Sequence, residues 1–351
     1  MNKKVRVLIV DDSAFMRKVI RDILATDERI EVIGTARNGK DALNKIKSKN
    51  PDVVTLDVEM PVMDGLMTLE QIMLNDPLPV LMISSSTTEG AKRTLQAISM
   101  GAVDFISKPS GPISLDIHTL KDEIISKVIA AAQANIEKEN KHIQLNYDKP
   151  FVQKYDQTII AIGTSTGGPR ALQKILTYLP KDFQAAILIV QHMPSGFTRS
   201  LADRLNTVAN IKVKEAEHGE VVEQGKAYIA PGDYHMQVRQ VGNRQVIHLT
   251  KDKLVNNHRP SVDVLFKSIA RLERMNKISI ILTGMGRDGA DGVKIMKQLS
   301  PHSLVIAEAE QSAVVYGMPK AAVATKCVDK VIPLDHIGKS IKKIIKETRR
   351  E

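Results

Sequence analysis

The chain has 351 residues, of which 43% are hydrophobic and 26% are charged, a balance typical of a folded globular protein. At about 150 residues per domain, this length favours two domains over one. We expect no membrane insertion, because no apolar stretch approaches the roughly 18 residues of a spanning helix. The one cysteine, Cys327, excludes an intrachain disulfide and favours a reducing, cytoplasmic compartment.

The net charge of +10 is unevenly distributed along the chain. Residues 1–110 contain 15 Lys plus Arg and 15 Asp plus Glu, so the whole basic surplus lies after them. Six Phe, six Tyr and no Trp offer few surfaces on which bases could stack. We therefore predict no nucleic-acid partner. An acidic protein partner or a solvated basic surface explains the surplus.

Five short apolar runs alternate with helical patterns in the first 110 residues. This rhythm predicts an α/β fold with a five-stranded parallel sheet and helices on both faces. The runs cover residues 5–10, 30–34, 53–56, 80–83 and 103–106. Ligands of such sheets gather at the carboxyl ends of the strands. The polar residues at those ends are Asp11, Asp12, Asp57, Ser84 and Lys108.

Three of these residues, Asp11, Asp12 and Asp57, are carboxylates that would repel one another unless a cation compensated them. Hard oxygen ligands of this kind favour Mg²⁺. A carboxylate beside Mg²⁺ can attack a phosphoryl group, and a hydroxyl (Ser84) and a lysine (Lys108) can stabilise the transferred charge. Alternatively, the acidic pair alone could cap the helix that follows it.

The same residues carry a resemblance to a known family. The acidic pair, Asp57 with the segment 60–65, Ser84, and the Lys-Pro pair at 108–109 resemble a response-regulator receiver domain. The resemblance implies a flavodoxin-like fold and phosphorylation of Asp57 by a histidine kinase. It also implies a Mg²⁺ site made of Asp11, Asp12, Asp57 and the Glu59 carbonyl. The switch residues that it implies are Ser84, Phe105 and Lys108.

These patterns predict that the chain divides into three segments. Residues 1–125 would form the receiver domain, 126–155 a linker, and 156–351 a second domain. Apolar residues at helical spacing between 116 and 138 predict a helix that packs on one side. The segment 139–157 is polar and charged without a clear period, which is typical of a linker.

The second domain opens with a predicted strand, tight turn and helix. Its β-branched run stops at Gly163, and Pro169 suits the first turn of the helix. Ser165 then lies near a helix N-terminus, among accessible backbone N–H groups. Residues 163–167 fit the G-x-S-x-G nucleophile elbow of hydrolases, but also a dinucleotide-binding turn or a plain connection. The acidic ribose contact that a dinucleotide site needs is missing.

Three polar residues follow apolar runs in this domain: Ser165, His192 and Asp288. The α/β rhythm predicts a doubly wound domain with a mainly parallel sheet, which would bring all three to one edge. A serine needs a base and the base needs an orienting carboxylate, so we predict a catalytic triad. The glycine-rich loop 283–289 can supply the carboxylate and free N–H groups. His235 and His258 are rival bases, and Asp288 could instead cap the next helix.

Five motifs resemble the chemotaxis protein-glutamate methylesterases, in which an N-terminal receiver is usual. They lie at residues 160–168, 191–193, 230–233, 258–263 and 283–289. The resemblance implies demethylation of glutamate γ-methyl esters on chemoreceptors, together with glutamine deamidation, without a cofactor for the esterase reaction. In this reaction Ser165 is the nucleophile, His192 the base and Asp288 its orienting partner. The oxyanion would rest on backbone N–H groups of Thr166 and Met285.

Two hypotheses of other classes stay open. One is a receiver tethered to a nucleotide-binding module, and saturable nucleotide binding would support it. The other is a receiver-controlled adaptor that kept a hydrolase fold without its chemistry. Covalent labelling of Ser165 by a serine-directed reagent separates an enzyme from such an adaptor.

Overall fold

The computed structural model describes residues 3–85, 87–108, 117–134 and 155–347. The chain divides into two compact units, Met1–Glu137 and Lys138–Glu351. Pro109 and most of the predicted linker, residues 135–154, lie outside the described residues. Within the described ranges, we find no helix with both the length and the apolar character that crossing a bilayer requires.

The first unit contains a five-stranded parallel sheet in the order β2-β1-β3-β4-β5, as predicted. Its strands are β1 (Val5–Val10), β2 (Ile30–Ala36), β3 (Val53–Asp57), β4 (Val80–Ser84) and β5 (Asp104–Ser107). Its helices are α1 (Ala14–Leu24), α2 (Gly39–Lys49), α3 (Gly65–Asn75), α4 (Thr88–Met100) and α5 (Ile117–Ala132). Helix α1 contacts α5, whereas α3 contacts α2 and α4, which gives the sheet a helical layer on each face.

Local sequence explains where these elements begin. All residues of β3 and β4 are buried, as expected for central strands covered on both faces. Ser13 caps α1 by accepting the Met16 N–H at 3.3 Å, so the capping role considered for the acidic pair belongs to Ser13 instead. Gly65 starts α3 beside the end of β3, where an added Cβ would lie 2.1 Å from the Asp57 carbonyl oxygen.

The second unit contains a seven-stranded parallel sheet and a separate antiparallel hairpin. Its strands are β6 (Thr158–Thr164), β7 (Ala186–Gln191), β8 (Lys212–Glu215), β9 (Lys226–Ile229), β10 (His235–Val241), β11 (Arg244–Thr250), β12 (Asn276–Ile281), β13 (Leu304–Glu308) and β14 (Lys330–Ile332). Its helices are α6 (Gly168–Leu176), α7 (Phe197–Val208), α8 (Val262–Ala270), α9 (Ala290–Leu299), α10 (Met318–Ala324) and α11 (Leu334–Glu347).

The strand order of this sheet is β14-β13-β12-β6-β7-β9-β8. The three strands that precede the predicted triad, β12, β6 and β7, are therefore neighbours at its centre, and every residue in them is buried. Parallel register pairs Ile281 with Gly163, and Thr164 with Gln191. The polar residues that follow these strands thus emerge at a single edge. The β10–β11 hairpin, which packs against α8, was not predicted from the sequence.

Candidate active site and phospho-acceptor site

Ser165 lies at the turn between β6 and α6, held by its backbone on both sides. Its N–H donates to the Thr283 carbonyl at 3.0 Å, and its carbonyl accepts the Gly168 N–H at 2.8 Å. Gly167 adopts a left-handed conformation, with φ of 78°, that glycine tolerates without strain. A Cβ added at Gly284 would lie 2.8 Å from Ser165 Cβ, so two loops meet at this serine. Ser165 itself remains partly exposed.

His192 follows β7 on the adjacent strand, and its N–H donates to the Thr164 carbonyl at 3.1 Å. Its ring lies 2.8 Å from the carboxylate of Asp288 through Nε2, with only 5% of the side chain exposed. The buried Nδ1 atom has no hydrogen-bond partner among the described residues. A carboxylate accepts hydrogen bonds, so Asp288 selects the tautomer that is protonated at Nε2. This leaves the Nδ1 lone pair available as a base.

Asp288 is 1% exposed and lies at the centre of a dense hydrogen-bond network. Besides His192, it accepts hydrogen bonds from Asn256 Nδ2 at 2.9 Å, Ser261 Oγ at 2.8 Å, and the N–H groups of Val262 at 2.6 Å and Asp263 at 3.2 Å. Burial raises the pKa of Asp288, but the contacts from His192, Asn256 and Ser261 together outweigh it and hold this pKa well below its usual range. The carboxylate therefore stays ionised while it orients His192.

The two rival histidines occupy different positions. His258 stacks on His192 with ring centroids 3.8 Å apart and an interplanar angle of 11°. His235, the first residue of β10, is 1% exposed, and its Nε2 lies 3.0 Å from the Lys253 carbonyl. Thus His258 packs against the ring that contacts Asp288 and limits its rotation.

Asn256 and Asp263 support the predicted triad; the sequence reasoning did not identify Asn256, and it included Asp263 only as part of the motif at 258–263. Asn256, in a left-handed conformation with φ of 53°, donates from Nδ2 to Asp263 Oδ2 and to Asp288 Oδ1, each at 2.9 Å. Asp263 accepts the N–H groups of Gly289 at 3.1 Å and Gly292 at 2.6 Å at the start of α9. The capping role considered for Asp288 therefore belongs to Asp263. Burial, with a contribution from the charge of Asp288, raises the pKa of Asp263.

Thr283 joins the loops that carry the two predicted oxyanion residues. Its hydroxyl donates to the Thr166 carbonyl at 2.8 Å, and its N–H donates to Glu308 Oε2, also at 2.8 Å. Thr166 is buried and directly follows the serine, whereas Met285 is partly exposed two residues beyond Thr283. Backbone N–H groups on such loops are the usual donors to an oxyanion.

The first unit has an acidic cluster at the carboxyl edge of its sheet. One carboxylate oxygen from each of Asp11, Asp12 and Asp57 lies within 4.8 Å of the others. Lys108 Nζ approaches Asp57 Oδ2 at 2.7 Å and Asp11 Oδ2 at 3.3 Å. The pKa of Asp57 is raised to about 6, because burial and the charge of Asp11, which raise it, together outweigh Lys108, which lowers it. Clustered hard oxygens such as these, beside Lys108, fit a divalent cation such as Mg²⁺.

The remaining predicted receiver residues lie on the neighbouring strands β4 and β5 or just after β3. Ser84 is 1% exposed and donates through Oγ to the Gly90 carbonyl at 3.1 Å. Phe105 is buried, and Lys127 Nζ lies 5.1 Å from its ring centroid and donates to its carbonyl at 2.6 Å. The Glu59 N–H donates to Asp57 Oδ1 at 3.3 Å.

These two sites define a class of protein, a response regulator whose output domain carries a serine-hydrolase arrangement. Family models agree with both halves: "CheB methylesterase" matches residues 160–341, and "Response regulator receiver domain" matches residues 7–119. The chain therefore belongs to the CheB methylesterase family and carries a receiver domain ahead of its methylesterase domain.

Full-length relatives are similar over nearly the whole chain. The protein-glutamate methylesterase/protein-glutamine glutaminase of Halalkalibacterium halodurans is 54% identical over 97% of this chain and 98% of its own. The protein of the same name from Oceanobacillus iheyensis is 53% identical, covering 97% and 99%. Among solved structures, the Thermotoga maritima CheB methylesterase catalytic domain is 42% identical, with a TM-score of 0.52, covering 54% of this chain and 98% of that domain.

Proposed function

We propose that the chain is a phosphorylation-regulated protein-glutamate methylesterase of chemotaxis that demethylates glutamate γ-methyl esters on chemoreceptors and also deamidates glutamines. The observation that carries the chemistry is the buried contact between His192 and Asp288, at the sheet edge from which Ser165 emerges. Family membership supports the activity. The single cysteine, Cys327, is compatible with the cytoplasm as its location.

In the first half of the reaction, Ser165 Oγ attacks the ester carbonyl carbon and gives its proton to His192 Nδ1. The negative charge that forms on the carbonyl oxygen rests on the backbone N–H groups of Thr166 and Met285. His192, now an imidazolium held by Asp288, returns the proton to the departing methoxide. Methanol leaves and a glutamyl ester of the serine remains. With a glutamine substrate, His192 gives the same proton to the departing amide nitrogen, which leaves as ammonia.

Water completes the reaction. His192 Nδ1 takes a proton from the water as its oxygen attacks the acyl carbon, and the bond to Ser165 Oγ then breaks as the serine regains that proton. The net change is ester plus water to glutamate carboxylate, methanol and a proton. Asp288 remains ionised throughout, which matches the direction of its pKa.

In the receiver we assign Asp57 as the phospho-acceptor, with a histidine kinase as donor. Asp11, Asp12 and Asp57, with the Glu59 carbonyl, would hold Mg²⁺, which supplies charge neutralisation at the transferred phosphoryl group. Lys108, already 2.7 Å from the Asp57 carboxylate, neutralises a further charge, and Ser84 and Phe105 complete the switch. The division into a receiver (1–125), a linker (126–155) and a catalytic domain (156–351) is part of this proposal.

Methanol release from methylated receptor membranes tests the proposal. The full chain should release methanol at a rate that Ser165→Ala abolishes, and acetyl phosphate with Mg²⁺ should raise this rate only when Asp57 is present. An adaptor without chemistry would release no methanol and would not react with a serine-directed reagent at Ser165. Either result would reject the esterase assignment.

A further inference from the structure

Glu308 is a buried carboxyl group at the catalytic edge that the mechanism above does not use. It ends β13, next to β12, and is 0% exposed. Its Oε2 accepts the Thr283 N–H at 2.8 Å, and its Oε1 accepts the Ser312 hydroxyl at 2.9 Å. Burying a carboxyl group is costly unless it is hydrogen-bonded, and an apolar residue would complete a strand core more simply. The position therefore calls for a role beyond packing.

Thr283 connects this carboxyl group to the nucleophile through three separate contacts. Its carbonyl accepts the Ser165 N–H at 3.0 Å and the Thr164 hydroxyl at 2.9 Å. Its side-chain hydroxyl donates to the Thr166 carbonyl at 2.8 Å. Residues on both sides of Ser165 thus depend on where Thr283 lies, and the Thr283 N–H is fixed by Glu308.

We infer that Glu308 is a positioning residue of the esterase reaction, which holds Thr283 and through it the turn that carries Ser165. This inference rests on the proposed function. Glu308 does not touch the substrate, so its loss should slow the chemical step and leave substrate binding almost unchanged. Misplacement of a reacting group by about 1 Å can lower turnover by about 10²-fold.

The test compares kcat and KM of full-length variants for methanol release. Glu308→Ala should lower kcat by about 10²-fold with KM within roughly twofold of wild type. Glu308→Gln should restore most of this loss, because its amide oxygen can accept the Thr283 N–H and its NH₂ group can donate to Ser312 Oγ. That hydroxyl can then donate to the Ala309 carbonyl, which already lies 3.2 Å away.

Asp329, directly before β14, offers a matched control because it binds the other end of β13. Its Oδ2 accepts the Val305 N–H at 2.7 Å and pairs with Lys297 at 2.6 Å. Asp329→Ala therefore removes a carboxylate that binds a backbone N–H of β13 but has no link to Thr283. It should lower stability while keeping kcat. If Glu308→Ala and Asp329→Ala lost kcat equally, Glu308 would have only a structural role and the inference would be overturned.

A third variant covers the case in which Glu308→Ala does not fold. Glu308→Asp keeps the carboxyl group but is one methylene shorter, so it cannot hold both Thr283 and Ser312. We expect a lower kcat for Glu308→Asp than for Glu308→Gln, and the reverse order would overturn the inference. Wild-type protein without Ser165-dependent hydrolysis would reject the proposed function itself. An unaffected Glu308→Ala in an active background would reject only the positioning role.

Discussion

The substitution Asp288→Asn replaces one carboxylate oxygen with an NH₂ group and should nearly abolish turnover. Asp288 Oδ2 accepts hydrogen bonds from His192 Nε2 at 2.8 Å and from the Val262 N–H at 2.6 Å, while Oδ1 accepts three others. The amide oxygen of Asn can replace Oδ1, but its NH₂ group would then face two donors. His192 can relieve the conflict only by moving its proton from Nε2 to Nδ1, the nitrogen that must accept the serine proton.

The substitution should affect turnover and folding stability to different extents. A histidine held in the wrong tautomer lowers kcat by about 10⁴-fold, which corresponds to about 5.5 kcal/mol of barrier. The Val262 N–H is buried and would lose its acceptor, which costs about 1–3 kcal/mol of folding stability. The variant should therefore remain folded while its turnover almost disappears.

Methanol release and thermal unfolding of the full chain measure the two effects separately. Asp291→Asn is the control, because Asp291 lies three residues away, is about half-exposed, and pairs with Lys294 on the surface. The control should keep turnover within about twofold, since exposed ion pairs contribute little. If Asp288→Asn kept more than a tenth of wild-type turnover, the tautomer argument would be wrong.

Three further predictions concern other parts of the chain. Ser165→Ala or His192→Ala should lower methanol release by roughly 10⁶-fold, and His258→Ala by far less; the reverse ranking of the histidines would reassign the base. Acetyl phosphate with Mg²⁺ should label wild type but not Asp57→Asn, and equal labelling would reject that acceptor. Burial raises the pKa of Glu308 to about 7 from its ordinary 4.5. The folded state thus retains a proton there, and stability falls as pH rises from about 5 to 8. In Glu308→Gln this fall in stability should disappear, which thermal unfolding at about pH 5 and pH 8 measures. A pH dependence equal to that of wild type would contradict the assignment of the raised pKa to Glu308.

The sequence predicted the receiver sheet and the central strands of the second sheet because their signal is local. Apolar runs of four to six residues mark buried strands, and parallel pairing then requires that the residues following them share an edge. This reasoning placed Ser165 after β6 and His192 after β7, and the register of Thr164 with Gln191 agrees with it. The receiver sheet followed from the same rule.

The hydrogen-bond network that supports the predicted triad could not be predicted in this way. Asn256 lies in a loop after the unpredicted hairpin, and it reaches Asp288 across 32 positions of sequence. In the sequence, Glu308 is the polar residue at the end of an apolar strand. Nothing near it predicts its contact with Thr283, which lies 25 residues earlier. Such contacts depend on how loops fold over the sheet edge, which no local period records. The motif at 258–263 did indicate that this loop mattered, without assigning its residues.

The position of Asn256 bears on how much sequence variation the active site can tolerate. Its backbone lies in the left-handed region, which glycine, asparagine and aspartate accept most readily. Its amide also separates two buried carboxylates, Asp263 and Asp288, by donating to both. Glycine would accept the left-handed backbone but has no amide to donate to the two carboxylates. Aspartate would also accept this backbone, but it would place a third negative charge beside them. Among these residues only asparagine meets both demands, so a saturation library should be nearly intolerant at position 256.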